Sequence, residues 1–286
     1  MYVAYWNLRE EPFRNVADMR FAYLSEQHRE GLARLLFIVR GARLGGVLVG
    51  PYGVGKSMVL EMLSQQLQKE RAIAFMRCEA MPGGALVLSR QILAHIGEPD
   101  KPATLADAVL ALQEYVQSHR RTFKPTVITI DEAHLLRQQE AFDLIHLLTN
   151  LRVQNDGGVE RSAFTIILAG HTQLADELRQ QPALGQRLQL VWRLAPLSDA
   201  QTMEYIQHRM RVAGGDIWTF EEAALREVHR ISAGLPRVIN NICDMALMLG
   251  FAARIPKVTS DLIVHAAQDM GSLPEPEAPK TVENQP

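Results

Sequence analysis

Two rhythms of apolar and polar positions run along the chain. From Gln27 to Arg43, Leu32, Leu35, Leu36 and Val39 fall on one side of a 3.6-residue repeat, which predicts a helix. Gly46–Val49 reads as a short buried strand, Gly50–Gly55 as a glycine-rich loop and Lys56–Lys69 as a second helix. Ala72–Met76 predicts another strand. Helices follow at about 83–96 and 104–119, the latter opened by Thr104 and Asp107 at capping-box spacing. Thr126–Ile130 is nearly all β-branched, as expected of a strand covered on both faces. Ala141–Leu151 has the broad apolar face of a packed helix, and Phe164–Leu168 and Val191–Leu194 complete the strands. Strands alternating with helices predict a five-stranded parallel sheet sandwiched by helices.

After Pro196 the rhythm is wholly helical. Ser198 with Gln201, and Thr219 with Glu222, have capping-box spacing, and helices are expected at about 198–213, 220–233, 236–252 and 259–270. The organisation predicted is an α/β base over 1–196 with the N-terminal segment, an all-helical lid over 197–270, and a disordered tail over 271–286, which holds four prolines.

Composition narrows the classes. The 286 residues are 47% hydrophobic and 22% charged, ordinary for a globular protein. Thirty basic against 32 acidic residues give a net charge of -2, which excludes an overall polybasic nucleic-acid binder but not a local basic patch. Two cysteines, Cys78 and Cys243, exclude a disulfide scaffold and read as core thiols. The longest apolar run, Met245–Ala253, is too short to span a bilayer, and the N-terminus lacks a signal-peptide pattern. The expected compartment is the cytoplasm.

Gly50-Pro51-Tyr52-Gly53-Val54-Gly55-Lys56-Ser57 satisfies the Walker A pattern between a strand and a helix. Such a loop wraps backbone N–H groups around phosphate oxygens, and the following helix, continuing with Met58, presents its N-terminus to the anion. Lys56 is placed to bridge phosphates and the Ser57 hydroxyl to hold Mg²⁺. Val127–Ile130 is a buried strand ending in Asp131 and Glu132, the Walker B form. Asp131 is expected to support Mg²⁺, and Glu132 to orient and polarise an attacking water. His134 reads as a loop residue, and no histidine or cysteine cluster has metal-site spacing. The cofactors indicated are ATP and Mg²⁺, and the reaction is ATP hydrolysis.

In order along the chain stand YWNLREEPF, FAYLSEQHREGLARL, the Walker A loop, Asp131-Glu132-Ala133-His134, Leu148-Thr149-Asn150, Leu168-Ala169-Gly170 and Ser232-Ala233-Gly234-Leu235-Pro236-Arg237-Val238-Ile239-Asn240. In these blocks the chain resembles the ExeA/GspA-like (MshM-type) AAA+ ATPases of secretion and pilus assembly, and more distantly the TnsC, TniB and IstB transposition ATPases. The resemblance covers residues 1 to about 270. It implies an AAA+ P-loop NTPase fold, a nucleotide-dependent homo-oligomer, and a partner in a secretion or pilus machine.

By position the resemblance also implies that Arg187 is an arginine finger reaching a neighbouring subunit, with a surface arginine as the plain alternative and Arg193 as a second candidate. Arg237 resembles sensor 2. His171 stands at the sensor 1 position, where the family has Gly-Gln; if its ring touches phosphate, hydrolysis titrates between about pH 5 and 8. Tyr5, Trp6 and Phe13 either lie over the nucleobase or staple the N-terminal segment to the base. Secretion-type members continue into a membrane span and a peptidoglycan-binding module, so a chain ending in a tail is expected to use a separate partner or to belong to a soluble branch.

The competing function is an ATP-dependent regulator that binds DNA and a transposase. Basic candidates for it are Arg209, Arg211, Arg226 and Arg230 in the lid, and Arg120, Arg121 and Lys124 before the third strand. A small-molecule kinase is disfavoured, because nothing in the sequence marks a phosphoacceptor pocket.

Overall fold

The computed structural model describes residues 2–70, 72–98, 102–136, 138–154, 158–188 and 190–271. The expected tail falls outside the described residues beyond Gly271. In chain order the elements are α1 (Tyr2–Tyr5), α2 (Glu26–Arg40), β1 (Gly45–Val49), α3 (Lys56–Leu67), β2 (Ala74–Glu79), α4 (Gly84–Ile96), α5 (Leu105–Ser118), β3 (Thr126–Asp131), α6 (Gln139–Leu148), β4 (Arg152–Gln154), β5 (Glu160–Ser162), β6 (Phe164–Gly170), α7 (Gln173–Arg179), α8 (Pro182–Gly185), β7 (Leu190–Arg193), α9 (Asp199–Val212), α10 (Glu222–Ser232), α11 (Pro236–Ala253) and α12 (Ser260–Asp269). Contacts divide the chain into two compact units, residues 17–195 and residues 1–16 with 196–286.

The first unit holds the expected five-stranded parallel sheet, in the order β2-β3-β6-β1-β7. Alternation along the strands assigns its two faces. Val47, Val49, Met76, Cys78, Ile128, Ile130, Ile166 and Leu168 share one core with α4, α5, α6 and α7. Leu48, Val127, Thr129, Ile167 and Ala169 point the other way, and α2 packs on α3 and against β1, β6 and β7. Every residue of β1, β3 and β6 is buried, which explains why these strands read as continuous apolar runs. The antiparallel pair β4–β5 was not foreshadowed; its strands are three residues each and carry Arg152, Glu160 and Arg161.

The second unit is built on α9–α12. The Ser198–Gln201 capping box forms as expected, with Ser198 N donating to Gln201 Oε1 (3.1 Å) and Gln201 N to Ser198 Oγ (3.3 Å). Thr219 is not a cap. It is buried, its hydroxyl donates to the Asp216 carbonyl (2.7 Å), its own carbonyl accepts from Val258 N (2.8 Å), and Phe220 bridges to Val258. The next helix therefore starts only at Glu222. Gly234 has φ +73°, and a Cβ there would lie 2.0 Å from the Leu197 carbonyl oxygen. Only glycine fits this crossing, and Pro236 then opens α11.

Residues 2–16, expected with the α/β base, pack in this helical unit instead. Trp6 Nε1 donates to the Leu247 carbonyl (2.9 Å), Tyr5 Oη to Ile255 O (2.8 Å), and Tyr2 Oη to Asp244. Phe13 meets Phe220 edge-on, with centroids 5.9 Å apart. These aromatics staple the segment to α11 and the loop around Phe220, because each finds an apolar wall and, for Tyr2, Tyr5 and Trp6, an acceptor there.

Candidate functional site

Strand β1 runs straight into the Gly50–Gly55 loop, and α3 begins at Lys56. Gly55 has φ +106°, and a Cβ there would come 2.7 Å from His28 Nε2, so the turn into α3 requires glycine. Among the described residues, none of the amides of Tyr52, Gly53, Val54, Gly55 and Ser57 donates to a backbone carbonyl. These N–H groups form a cradle of orphan donors at a helix N-terminus, which suits an anion. The carbonyls lie on the other side. Lys56 is 6% exposed, and its Nζ donates to Gly50 O (2.9 Å) and Pro51 O (3.0 Å).

The acidic end of β3 meets this loop. Ser57 Oγ donates to Asp131 Oδ2 at 2.9 Å, so the two side chains named for Mg²⁺ are already in contact. Asp131 is buried, and Oδ1 accepts from Glu132 N (3.0 Å). Arg77 on β2 also reaches Asp131 Oδ2 (2.9 Å) and lies 3.8 Å from Glu61 on α3. Sequence reasoning missed Arg77, whose register position on β2 is invisible without the sheet. Glu132 adopts φ +52°, ψ +30°, a left-handed conformation disfavoured for a non-glycine residue, and its Oε2 is buried without a hydrogen-bond donor among the described residues.

His134, expected as a plain loop residue, is 5% exposed and central. Its Nε2 lies 2.8 Å from Tyr52 Oη, and its Nδ1 lies 3.3 Å from the His171 amide nitrogen and 3.4 Å from Glu132 Oε2. The His171 ring stacks on Tyr52, with centroids 4.8 Å apart, and its Nδ1 lies 3.3 Å from Thr172 Oγ1. Burial pulls the His134 pKa below its ordinary value; Glu132 and Glu177 oppose this, while His171 and Lys56 add to it.

A second buried histidine braces the loop from below. His28 Nε2 is 3.0 Å from the Val54 carbonyl, which can only accept, so that nitrogen carries the proton. Nδ1 therefore accepts from Ser25 Oγ (2.6 Å). Burial lowers the His28 pKa, and the Val54 bond opposes this. Both residues lie inside the FAYLSEQHREGLARL block, but nothing in that string says which loop they touch.

The remaining candidates sit on other elements. Arg187, after α8, is half-buried and donates from Nη1 to Thr149 Oγ1 (3.2 Å) at the end of α6; Arg193 is exposed on β7. Arg237 is exposed on the first turn of α11, in the other unit. Most of the basic candidates do not form a free patch. Arg209 is a buried structural residue, Arg226 pairs with Glu222, Arg230 with Glu227, and Arg120 with Glu160. Among the described residues there is no group of three potential metal ligands, and no helix is long and apolar enough to cross a membrane.

A parallel sheet with a glycine loop after its first strand and an acidic pair at the carboxyl edge of its third defines a P-loop protein of the AAA type, and residues 39–178 match the AAA domain family model. More particularly, the chain is related to General secretion pathway protein A of Aeromonas hydrophila, with 32% identity over 284 residues. That match covers 96% of this chain and 49% of the relative, so the chain spans about half of that protein's length. Solved structures share the fold at lower identity. Drosophila ORC bound to DNA aligns with a TM-score of 0.70 at 18% identity, over 92% of this chain and 64% of that one. CDC6P from Pyrobaculum aerophilum aligns at 0.67 and 16%, over 89% and 71%.

Proposed function

We propose that this chain binds Mg²⁺–ATP at the junction of the Gly50–Gly55 loop and β3, hydrolyses it, and uses the cycle to assemble with copies of itself and drive a secretion or pilus machine. The observation that carries this reading is the 2.9 Å contact between Ser57 and Asp131, which joins the start of α3 after the glycine loop to the end of β3. Gly50 to Met58 would hold the phosphates, with Lys56 as the fixed positive charge. Ser57 and Asp131 would hold the metal, which supplies charge neutralisation on the phosphate oxygens when bound. A metal at Asp131 Oδ2 competes with the Arg77 guanidinium for that oxygen. Glu132 has an unsatisfied carboxylate oxygen, the property required of a group that must orient water and draw its proton.

Arg187 bonds a neutral hydroxyl, so no carboxylate there quenches its charge, and it would serve as the finger supplied to a neighbouring copy. Arg237 would sense the γ-phosphate from the start of α11. The 32% identity to the secretion protein favours a secretion-type partner, through which this chain, in the cytoplasm, would reach the inner membrane. The test joins three measurements. Glu132→Gln should keep ATP affinity and lose about 10²-fold or more in turnover. Mixing Arg187→Ala with Lys56→Ala subunits should restore part of the hydrolysis each lacks alone. Sedimentation with an ATP analogue should show oligomers without DNA; oligomers formed only with duplex DNA would reassign the machine to the transposition kind.

A further inference from the structure

His134 is held by groups with fixed donor and acceptor roles. The His171 backbone amide, 3.3 Å from Nδ1, can only donate. Nδ1 therefore bears a lone pair, and the proton of the neutral ring sits on Nε2, where it donates to Tyr52 Oη at 2.8 Å. This leaves the Nδ1 lone pair facing Glu132 Oε2 at 3.4 Å, acceptor against acceptor, and that carboxylate oxygen has no donor. The other tautomer would act oppositely. With the proton on Nδ1, the imidazole would donate to Glu132 Oε2, tie up the carboxylate and strand the His171 amide.

We propose that His134 is a positioning residue whose tautomer, set by the His171 amide and supported by Tyr52, keeps Glu132 unpaired and available to an attacking water. The proposal rests on the reading of Glu132 as the hydrolytic base. It gives Tyr52, a position the Walker A pattern leaves unspecified, a task of its own, since its hydroxyl satisfies the buried Nε2–H. The electrostatic neighbours of the ring are Glu132, His171, Lys56 and Glu177, two acids against one fixed cation and a second imidazole. Burial of the ring favours the neutral form that the tautomer argument needs.

Tyr52→Phe is the informative variant, because it keeps the ring stacked on His171 and removes only the acceptor for Nε2–H. Long-range ¹H–¹⁵N correlation on the full chain at pH 7.5 should show His134 as the Nε2–H tautomer in the wild type and a shift toward Nδ1–H in Tyr52→Phe. The same variant should lose on the order of tenfold in kcat, the worth of one hydrogen bond, with nucleotide Kd within about twofold. A wild-type Nδ1–H tautomer or an imidazolium overturns the proposal, as does a shifted tautomer with unchanged kcat. An active Glu132→Gln variant would overturn the base assignment itself, and the NMR result, which needs no turnover, separates that failure from this one.

Discussion

Arg209 and Lys56 are buried almost equally, 5% and 6% exposed, in different units of the chain. Arg209 donates to Pro12 O (2.6 Å), Arg14 O (2.9 Å), Tyr205 Oη (2.7 Å) and Asn240 Oδ1 (3.1 Å). All of these acceptors belong to the fold of its own unit, and the arginine fastens the N-terminal segment to α9 and α11. Lys56 also caps carbonyls, but among the described residues the groups beside it are left open: the amides of Tyr52–Gly55 and Ser57, and Glu132 Oε2. A buried charge whose surroundings are satisfied holds structure together; one whose surroundings remain unsatisfied awaits a ligand.

The contrast can be broken by paired substitutions. Lys56→Ala should weaken nucleotide binding on the order of a hundredfold while changing unfolding free energy by less than about 1 kcal/mol. Calorimetric titration and urea unfolding read the two quantities separately. Arg209→Ala should do the reverse, costing about 3 kcal/mol of stability by orphaning its buried acceptors and leaving nucleotide affinity intact. A Lys56 variant that unfolds, or an Arg209 variant that merely binds nucleotide less well, would erase the distinction.

The smallest expected effect concerns acid. His28 has its folded pKa depressed below the ordinary 6.5, so the unfolded chain takes the proton first. Its contribution to stability is complete above that value and is lost as pH falls through the folded pKa. His28→Gln should therefore lose less stability than the wild type between pH 7.5 and 5.5, and parallel slopes would show that the burial of His28 has no part in the acid response.

What was legible in the sequence is what is local. The five strands and the four helices after Pro196 appear near their expected positions because each announces itself through its own periodicity or cap. The phosphate loop and the Asp131–Glu132 pair are contiguous motifs whose meeting follows from any open parallel sheet. The rest depends on partners far away in the chain. His134 reads as a loop residue until Tyr52 and His171 arrive beside it. Arg209 looks like one more surface cation until the Pro12 and Arg14 carbonyls are seen to claim it. Strands of three residues, such as β4 and β5, are too short to show a period at all.

The bond from Trp6 to Leu247 spans 241 residues. During synthesis at about 5–20 residues per second, Trp6 would wait roughly 12–50 s for its partner to emerge. The whole α/β unit is made in that interval and can fold while the first aromatics remain uncovered. A segment made before the α/β unit is thus settled only after it, and a nascent chain halted before α11 would present Trp6 and Phe13 to whatever chaperone or surface it meets.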